Sequence, residues 1–217
     1  MFNLFEKILD LIFPPACGIC GKEINTYLCQ KCEEQINKIT CVGKDNYENK
    51  YFSSHMYLFK YDGIIRSKII SYKFDDNPYL YKTFCEIFVK NKKVCGFLQN
   101  YDIIIPVPMY RKKKNKRGYN QSELIAKEIA RRLGNIEFKN DILIKIKNTP
   151  KQSSLNKEQR MINLKNVYKV HNELFIKNKN VLIFDDIYTT GSTANECAKT
   201  LKEAGAKNIA ILTIAKD

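Results

Sequence analysis

Two kinds of hydrophobic pattern divide the chain near residue 100. Before that point, aromatic residues alternate with polar ones over residues 51–61, which predicts strands, and isoleucines recur at helical spacing over residues 63–73. Pro78 is expected to open a further helix that runs to about Lys92. This part of the chain is therefore expected to mix short strands with helices.

After residue 100, short apolar runs alternate with amphipathic segments. The apolar runs predict strands at residues 101–105, 142–146, 181–184 and 209–214. The segments between them predict helices at residues 121–133 and 193–204, and Gly205 is expected to end the second one. Strands separated by helices are typical of a parallel sheet with both faces covered, so the pattern predicts an α/β fold.

The N-terminal residues carry apolar side chains at helical spacing, interrupted by Glu6, Lys7 and Asp10. They predict a short amphipathic helix packed on the protein, with membrane contact as the alternative. Pro14 and Pro15 interrupt the uncharged stretch that follows, and a bilayer-crossing helix needs about 20 apolar residues, so no transmembrane span is predicted. Because these residues do not resemble an export signal, we expect a reducing, cytoplasmic location.

Five of the eight cysteines lie within the first 41 residues, which indicates a separate N-terminal module. Four of them form two pairs with two residues inside each pair: Cys17 with Cys20, and Cys29 with Cys32. That spacing lets one tight turn offer two sulfur atoms to one ion, and four thiolates around Zn²⁺ make a closed, structural site. We therefore expect structural zinc; a disulfide pair, an iron centre and unliganded thiols are the alternatives.

The charge balance points to anionic ligands. Lysine and arginine total 37 and aspartate and glutamate total 23, which gives a net charge of +14. A chain this basic is expected to meet phosphorylated ligands, nucleic acid or an anionic membrane surface. The apolar fraction of 44% is sufficient for a core, so wholesale disorder is excluded.

Residues 181–193 carry the most informative pattern in the chain. An apolar strand delivers Asp185 and Asp186 at its carboxyl end, where parallel α/β sheets bind ligands. The loop that follows offers hydroxyl groups and leads into a helix whose first backbone N–H groups can hold an anion. The loop residues are Thr189, Thr190, Gly191, Ser192 and Thr193.

Carboxylates would repel a phosphate group, so the two acids are expected to meet another part of the ligand. Two adjacent sugar hydroxyls suit them, because each neutral donor then faces a charged acceptor. The implied ligand is a ribose 5-phosphate. The alternative is a solvated strand end followed by a capped helix.

A basic segment, residues 111–117, holds six cations in seven residues and is expected to form a loop at the same edge of the sheet. Arg111, Arg117 and Gly118 are candidates for holding a pyrophosphate, because arginine binds phosphates through a bidentate fork and glycine lets the backbone approach. The remaining lysines could contact a nucleic-acid backbone, with Tyr110 and Tyr119 as stacking surfaces. A merely solvated, charged segment is the alternative.

The polar residues 148–165 lie between predicted strands and are long for a passive connection. Long segments at an active edge often act as lids, so we expect Gln152, Arg160 and Asn163 to face the ligand. Local capping by these polar side chains is the alternative.

Residues 185–193 closely resemble the 5-phosphoribosyl-1-pyrophosphate (PRPP) motif of type I phosphoribosyltransferases. The resemblance implies that Asp185 and Asp186 bind the ribose 2′- and 3′-hydroxyls, that the loop holds the 5′-phosphate, and that Mg²⁺ accompanies PRPP. Tyr188 departs from the pattern, since a small aliphatic residue is commoner there.

Residues 17–215 as a whole resemble the ComF family of phosphoribosyltransferase-like competence proteins. Besides the four cysteines and residues 185–193, the resemblance rests on Tyr61-Asp62-Gly63, Lys73-Phe74, Pro106-Val107-Pro108, Arg117-Gly118-Tyr119-Asn120-Gln121-Ser122, Gln152, Arg160 and Asn163. It implies an N-terminal helix and zinc-ribbon module over residues 1–50 and a phosphoribosyltransferase-like domain over residues 51–217. Residues 51–100 would form the hood of that domain, and Lys73 is assigned to the ligand site.

Two functions follow from this resemblance. The first is an enzyme that transfers phosphoribosyl from PRPP to an acceptor. The second is a non-catalytic module in DNA uptake that binds single-stranded DNA or uptake proteins and keeps the PRPP pocket as a sensor or vestige. The family is associated with natural transformation, in which incoming single-stranded DNA is handled in the cytoplasm.

Overall fold

The computed structural model of the chain describes residues 15–75, 77–149 and 166–217. In chain order the helices are α1 (Gln30–Ile39), α2 (Gly63–Phe74), α3 (Leu80–Lys90), α4 (Lys92–Leu98), α5 (Arg111–Arg117), α6 (Gln121–Leu133) and α7 (Ser192–Glu203). The strands are β1 (Gly43–Asn46), β2 (Ser54–Lys60), β3 (Ile103–Pro106), β4 (Glu137–Phe138), β5 (Leu143–Lys145), β6 (Tyr168–Val170), β7 (Asn180–Tyr188) and β8 (Asn208–Lys216). The amphipathic helix predicted at the N-terminus lies outside the described residues.

Six strands form the central sheet in the order β1-β2-β8-β7-β3-β4. Only β1 is antiparallel to its neighbour, and the other strands are parallel. The sheet is therefore mixed but mostly parallel, as the alternation of strands and helices predicts. Strand β5 is different: it pairs with β6 in a separate antiparallel ribbon and not with the main sheet.

Both faces of the sheet are covered, because successive strand residues point to opposite sides. On β7, Leu182 and Phe184 pack into one apolar core, which also takes residues of helices α2, α3, α4 and α6 and of the cysteine module. Val181 and Ile183 pack into the other core, beneath α7 and the β5–β6 ribbon. The two central strands are thus fixed by packing on both sides, and they provide a rigid base for residues at their carboxyl ends.

Two expectations about local structure are wrong. The basic segment forms helix α5 and not a loop; lysine and arginine are good helix formers, and Gly118, with φ of +84°, ends the helix. The strand that carries the acid pair does not stop at Phe184 but continues to Tyr188, because its hydrogen-bonded register with β8 extends to Lys216. No helix within the described ranges is both long and apolar enough to cross a bilayer.

Candidate functional site

The four paired cysteines come together at the N-terminal end of the described chain. The first pair sits on a tight turn in which the Gly21 amide donates to the Cys17 carbonyl at 2.7 Å, and Gly21 has φ of +76°. The second pair brackets the start of α1, where the Glu33 amide donates to the Cys29 carbonyl at 2.8 Å. A glycine turn and a helix start therefore aim four sulfur atoms at one point.

The geometry of these sulfur atoms fits a tetrahedral metal. All four lie within 4.8 Å of one another, and the Sγ atoms of Cys20 and Cys29 are 3.8 Å apart. A Zn–S bond of about 2.3 Å implies about 3.8 Å between the sulfurs of a tetrahedral site. The predicted cluster is thus assembled, and it can hold a metal ion such as zinc.

The pKa values of two thiols in the cluster shift in opposite directions. Burial raises the pKa of Cys17, but backbone N–H donors of Cys29, Cys20 and Ile19 outweigh it and lower that pKa to about 6. Burial, and then the neighbouring sulfurs, raise the pKa of Cys32. Four ionised thiols cannot share this space without a cation, and a divalent metal supplies one.

The cysteine module is packed firmly on helix α3. The Thr83 hydroxyl donates to the Tyr27 carbonyl at 2.8 Å, and a Cβ placed on Gly18 would lie 2.3 Å from the Thr83 Oγ1. Lys90 at the end of α3 pairs with Glu33 at 2.8 Å. The cluster therefore supports the larger core as well as its own turn.

The acid pair lies near the carboxyl end of β7, at the edge where β3 also ends. The Val107 amide donates to the Phe184 carbonyl at 2.8 Å, so the two strand ends are adjacent. The Asn120 side chain donates to the Val107 carbonyl at 3.0 Å and also caps α6, accepting from the Ser122 amide at 3.2 Å. The start of α6 is thereby held beside the acid pair.

Asp186 forms an ion pair with Lys73 at the end of α2. The Lys73 Nζ is 2.6 Å from the Asp186 Oδ2, and the two side chains are only 22% and 12% exposed. The end of α2 is held there from the other side as well, since the Tyr72 hydroxyl donates to the Gln121 carbonyl at 3.0 Å and the Tyr119 hydroxyl donates to the Tyr72 carbonyl at 2.8 Å. The structure thus brings Lys73 to the acid pair.

Asp185 has different surroundings. Its Oδ1 accepts hydrogen bonds from the Ser122 hydroxyl at 3.1 Å and from the Asp186 amide at 2.9 Å. Burial, and then the negative charge of Asp186, raise the pKa of Asp185 to about 7 even though Lys73 opposes the shift. At neutral pH this carboxyl group can therefore either accept a hydrogen bond as a carboxylate or exchange a proton.

The segment after β7 turns sharply into α7. Gly191 has φ of +73°, and a Cβ there would lie 2.2 Å from the Tyr188 hydroxyl oxygen, so this turn requires glycine. Thr190 and Ser192 share a hydroxyl–hydroxyl hydrogen bond of 2.9 Å at the helix start. The turn presents the first backbone N–H groups of a twelve-residue helix together with the hydroxyls of residues 189–193. Such an arrangement suits a phosphate.

The basic helix α5 adjoins this edge through its carboxyl end. Arg117 donates to the Gln121 side chain at 2.8 Å, directly before Ser122 and the acid pair. Gly118 forms the turn between α5 and α6, whereas Arg111 lies exposed at the far end of α5. Of the three pyrophosphate candidates, Arg117 and Gly118 are thus the ones connected to the acid-pair edge by described contacts. Gln152, Arg160 and Asn163 lie outside the described residues.

The chain is 30% identical over 213 residues to "Competence protein F" of Haemophilus influenzae, covering 93% of this chain and 85% of that protein. The chain belongs to the competence protein F family. A phosphoribosyl transferase domain model matches residues 120–217, which include helix α6, both central strands and the acid pair. The predicted type I phosphoribosyltransferase-like core is therefore confirmed.

Two further relatives differ in how much of the chain they match. "Competence protein ComFC" of Bacillus subtilis is 23% identical over 203 residues, covering 92% of this chain and 77% of that protein. "DNA utilization protein YhgH" of Escherichia coli O157:H7 is 32% identical over 119 residues, covering 55% of this chain and 51% of that protein. The predicted ComF resemblance is thus confirmed over most of the chain.

Sequence reasoning missed two polar residues beside Asp185 in this family member. Ser122 belongs to the Arg117–Ser122 motif, in which nothing in the sequence marks it as a partner of Asp185, but its hydroxyl donates to that carboxyl group. Lys145 is the last residue of the short strand β5 and has no local signal. It donates to the Thr149 hydroxyl at 2.8 Å, and burial, together with the positive charge of Lys113, lowers its pKa. Asp185 opposes that shift, which places the Lys145 charge within electrostatic reach of the acid.

The structure also gives a reason for Tyr188, which stands where the PRPP motif more commonly has a small aliphatic residue. The Tyr188 hydroxyl accepts a hydrogen bond from the Lys50 ammonium at 2.5 Å, and its ring stacks on that of His55 with centroids 4.1 Å apart. A small aliphatic residue would leave this space beneath the Gly191 turn unfilled. Tyr188 thus links the β1–β2 hairpin to the turn.

Proposed function

We propose that the chain binds PRPP or a related ribose 5-phosphate at the carboxyl edge of the central sheet. The observation that carries the proposal is the joint position of Asp185 and Asp186 at the end of β7, directly before a glycine turn that opens α7. Acceptors for a sugar diol and donors for a phosphate are there only a few residues apart. The match of residues 120–217 to a phosphoribosyl transferase domain supports the same ligand class.

Each part of the ligand has a suitable partner. The Asp185 and Asp186 carboxylates would accept hydrogen bonds from two ribose hydroxyls, and the N–H groups of residues 189–193 would hold the terminal phosphate. Lys73 already neutralises Asp186, so a ligand must share that carboxylate with Lys73 or displace it. Mg²⁺ bound together with PRPP would supply further positive charge to the pyrophosphate.

The pyrophosphate of PRPP needs cations on the other side of the ribose. Arg117 lies at the α5–α6 turn beside Ser122, and its guanidinium could bind two phosphate oxygens at once. If transfer occurs, these groups would stabilise the leaving pyrophosphate electrostatically, without a covalent enzyme intermediate. Gln152, Arg160 and Asn163 remain predicted lid residues for the same ligand.

Isothermal titration calorimetry with PRPP and MgCl₂ tests the proposal directly. The wild-type chain is expected to bind, and the Asp185→Asn/Asp186→Asn variant is expected to lose at least tenfold in affinity while it remains folded. Glu173→Gln/Glu203→Gln is the matched control, because it removes two carboxylates from exposed positions outside the site. Equal affinity of the acid-pair variant and the control would refute the ribose assignment.

A second function is favoured by the charge of α5. Relatives of the chain are named for competence and for DNA utilization, and α5 carries six cations in seven residues. We propose that this helix contributes a surface for single-stranded DNA. This function and PRPP binding can coexist, since they use different residues apart from Arg117.

A further inference from the structure

The loop between β1 and β2, residues 47–53, packs against the turn that is proposed to hold the terminal phosphate. The Tyr51 amide donates to the Asn195 side chain at 3.1 Å, which fastens the loop to the first turn of α7. Aromatic rings of the loop also pack on Tyr188, whose hydroxyl oxygen lies 2.2 Å from the place where a Cβ on Gly191 would stand. The loop and Tyr188 together therefore form a wall behind the Gly191 turn.

This wall contains a positive charge held among three aromatic rings. The Lys50 Nζ lies 4.3 Å, 5.3 Å and 5.2 Å from the ring centroids of Tyr47, Phe52 and Tyr188. It also donates to the Tyr188 hydroxyl at 2.5 Å. Aromatic faces attract a cation, so the three rings favour the charged form of Lys50 in this position. The ammonium is thereby held on the same hydroxyl group that adjoins Gly191.

The rings around this ammonium are themselves fixed by packing. Phe52 and Tyr188 are buried, and the Tyr47 and Phe52 rings meet edge to face with centroids 5.1 Å apart. Tyr188 stacks on the His55 ring at 4.1 Å, and the His55 Nε2 is hydrogen-bonded to the Thr213 hydroxyl at 2.8 Å. Little ordering would therefore be needed for the Lys50 charge to act on a bound ligand.

The charge of Lys50 acts on groups that it does not contact. Burial lowers the pKa of His55 to about 3, and the positive charges of Lys216 and Lys50 add to that shift, whereas Asp45 opposes it. Asp45 itself pairs with Lys216 at 2.8 Å. A phosphate bound at the Gly191 turn would be a further neighbour within reach of the Lys50 charge.

The terminal phosphate of the proposed ligand carries two negative charges above neutral pH, because the second pKa of a phosphate monoester is about 6. Backbone N–H dipoles at a helix start stabilise anions in general. A full positive charge adds an energy that grows in proportion to the charge of the anion. A cation behind the turn therefore favours a phosphate monoester over a singly charged anion of the same shape.

We propose that Lys50 is a specificity-determining residue of the phosphate site, whose ammonium stabilises a doubly charged phosphate monoester from behind the Gly191 turn. The inference rests on the proposed sugar-phosphate function and adds to it a cation from outside residues 185–193. Lys50 does not touch the ligand: the Tyr188 hydroxyl and the turn lie between them, and the effect is electrostatic.

Isothermal titration calorimetry at pH 7.5 with ribose 5-phosphate and ribose 5-sulfate tests this. The two esters share the sugar and a tetrahedral anion but differ by one negative charge. Lys50→Met is expected to weaken binding of the phosphate ester about fivefold and of the sulfate ester only about twofold, since the lost Coulomb energy scales with the charge of the ligand. Lys50→Arg keeps the cation and is expected to retain the wild-type preference for the phosphate ester.

Lys44→Met is the matched control. It removes one positive charge from the same hairpin, where the Lys44 Nζ lies 5.6 Å from the centroid of the Phe97 ring. Phe97 belongs to the apolar core on the other face of the sheet from Tyr188. We expect this variant to bind both esters with wild-type affinity.

The outcomes separate this inference from the proposed function. Equal losses for the two esters in Lys50→Met would show that Lys50 only supports the wall, and would overturn the inference. No loss for either ester, while Asp185→Asn/Asp186→Asn loses affinity for PRPP, would overturn the inference and leave the proposed function standing. Failure of the wild-type chain to bind ribose 5-phosphate would overturn the inference, and failure to bind PRPP as well would overturn the proposed function with it.

Discussion

The four-cysteine cluster and the acid pair both gather groups that repel one another when ionised, but the fold neutralises them differently. In the cluster, four sulfur atoms lie within 4.8 Å, and a cation must come from outside the chain. At the acid pair, the chain supplies its own cation, with Lys73 2.6 Å from Asp186. The first arrangement can hold a metal ion, and we propose that the second exchanges its internal cation for a ligand.

The two regions also differ in position. Cys17 and Cys32 are almost fully buried within the larger of the two apolar cores. The acid pair lies at the open edge of the sheet, between the α5–α6 turn and the start of α7. We infer that the first region maintains the fold and the second binds a ligand, and three perturbations sharpen that comparison.

Loss of the metal is expected to have the largest effect. A metal chelator, or Cys17→Ser, would leave buried thiols without a cation and loosen the contact with α3, so the free energy of unfolding should fall by about 4 kcal/mol or more. Zinc content by elemental analysis and thermal unfolding measure it. Cys41→Ser is the control, because Cys41 is exposed and outside the cluster. A chelated protein as stable as the untreated one would contradict a structural metal.

Removal of Lys73, the cation that the chain supplies to the acid pair, is expected to lower the free energy of unfolding by less than loss of the metal does. Lys73→Met leaves Asp186 charged and mostly buried, which should lower the free energy of unfolding by about 2 kcal/mol in urea titrations. Adding Asp186→Asn to that variant should restore most of the loss, because the remaining group is then neutral.

Lys199→Met provides the matched control for Lys73→Met. Lys199 pairs with Glu203 at 3.8 Å on an exposed face of α7, and such surface pairs contribute about 0.5 kcal/mol or less. Equal losses in the two lysine variants would show that the Lys73–Asp186 pair has no special role in the acid-pair site.

How much of the fold was predictable depends on whether the signal was local. Helix α6 was predicted with its observed bounds, because its apolar spacing is local and the helix is flanked directly by the Asn120 cap and by Gly134 with φ of +70°. Helix α5 was predicted as a loop, because the segment connects a strand end to the start of helix α6. It is held by tertiary contacts, Lys114 to Glu123 and Arg117 to Gln121, that no local pattern reveals.

In the candidate site too, some residues were predictable from a local sequence signal and others are placed by tertiary structure alone. Asp185 and Asp186 lie near the carboxyl end of an apolar strand and the Gly191 turn follows that strand, so their place at the sheet edge was predictable from local order. Lys145 was not, because it approaches Asp185 only through the β5–β6 ribbon, and the pairing partner of a short strand is set by tertiary structure. The roles of these residues stay predictions until ligand binding is measured.

The smallest expected effect is a pH dependence of the free energy of unfolding that comes from Asp185. Its pKa is raised to about 7 in the folded chain, against about 3.9 for an unfolded aspartate. Between these values the folded state holds a proton that the unfolded state has released, so stability should fall as the pH rises from about 4 to about 7. We expect a fall of about 1.4 kcal/mol, which corresponds to one pKa unit, because the side chain is partly open to solvent.

Comparison with Asp185→Asn removes the contribution of all other titrating groups. The difference in free energy of unfolding between wild type and this variant should therefore decline across that pH range, as measured by urea titration at several pH values. Glu203→Gln, which removes an exposed carboxyl group at the end of α7, is the matched control. A difference that rises with pH would mean that the folded chain stabilises the charged carboxylate. The fold itself would then stabilise both carboxylates of the acid pair in their charged form, and the pair would have little to gain from a ligand.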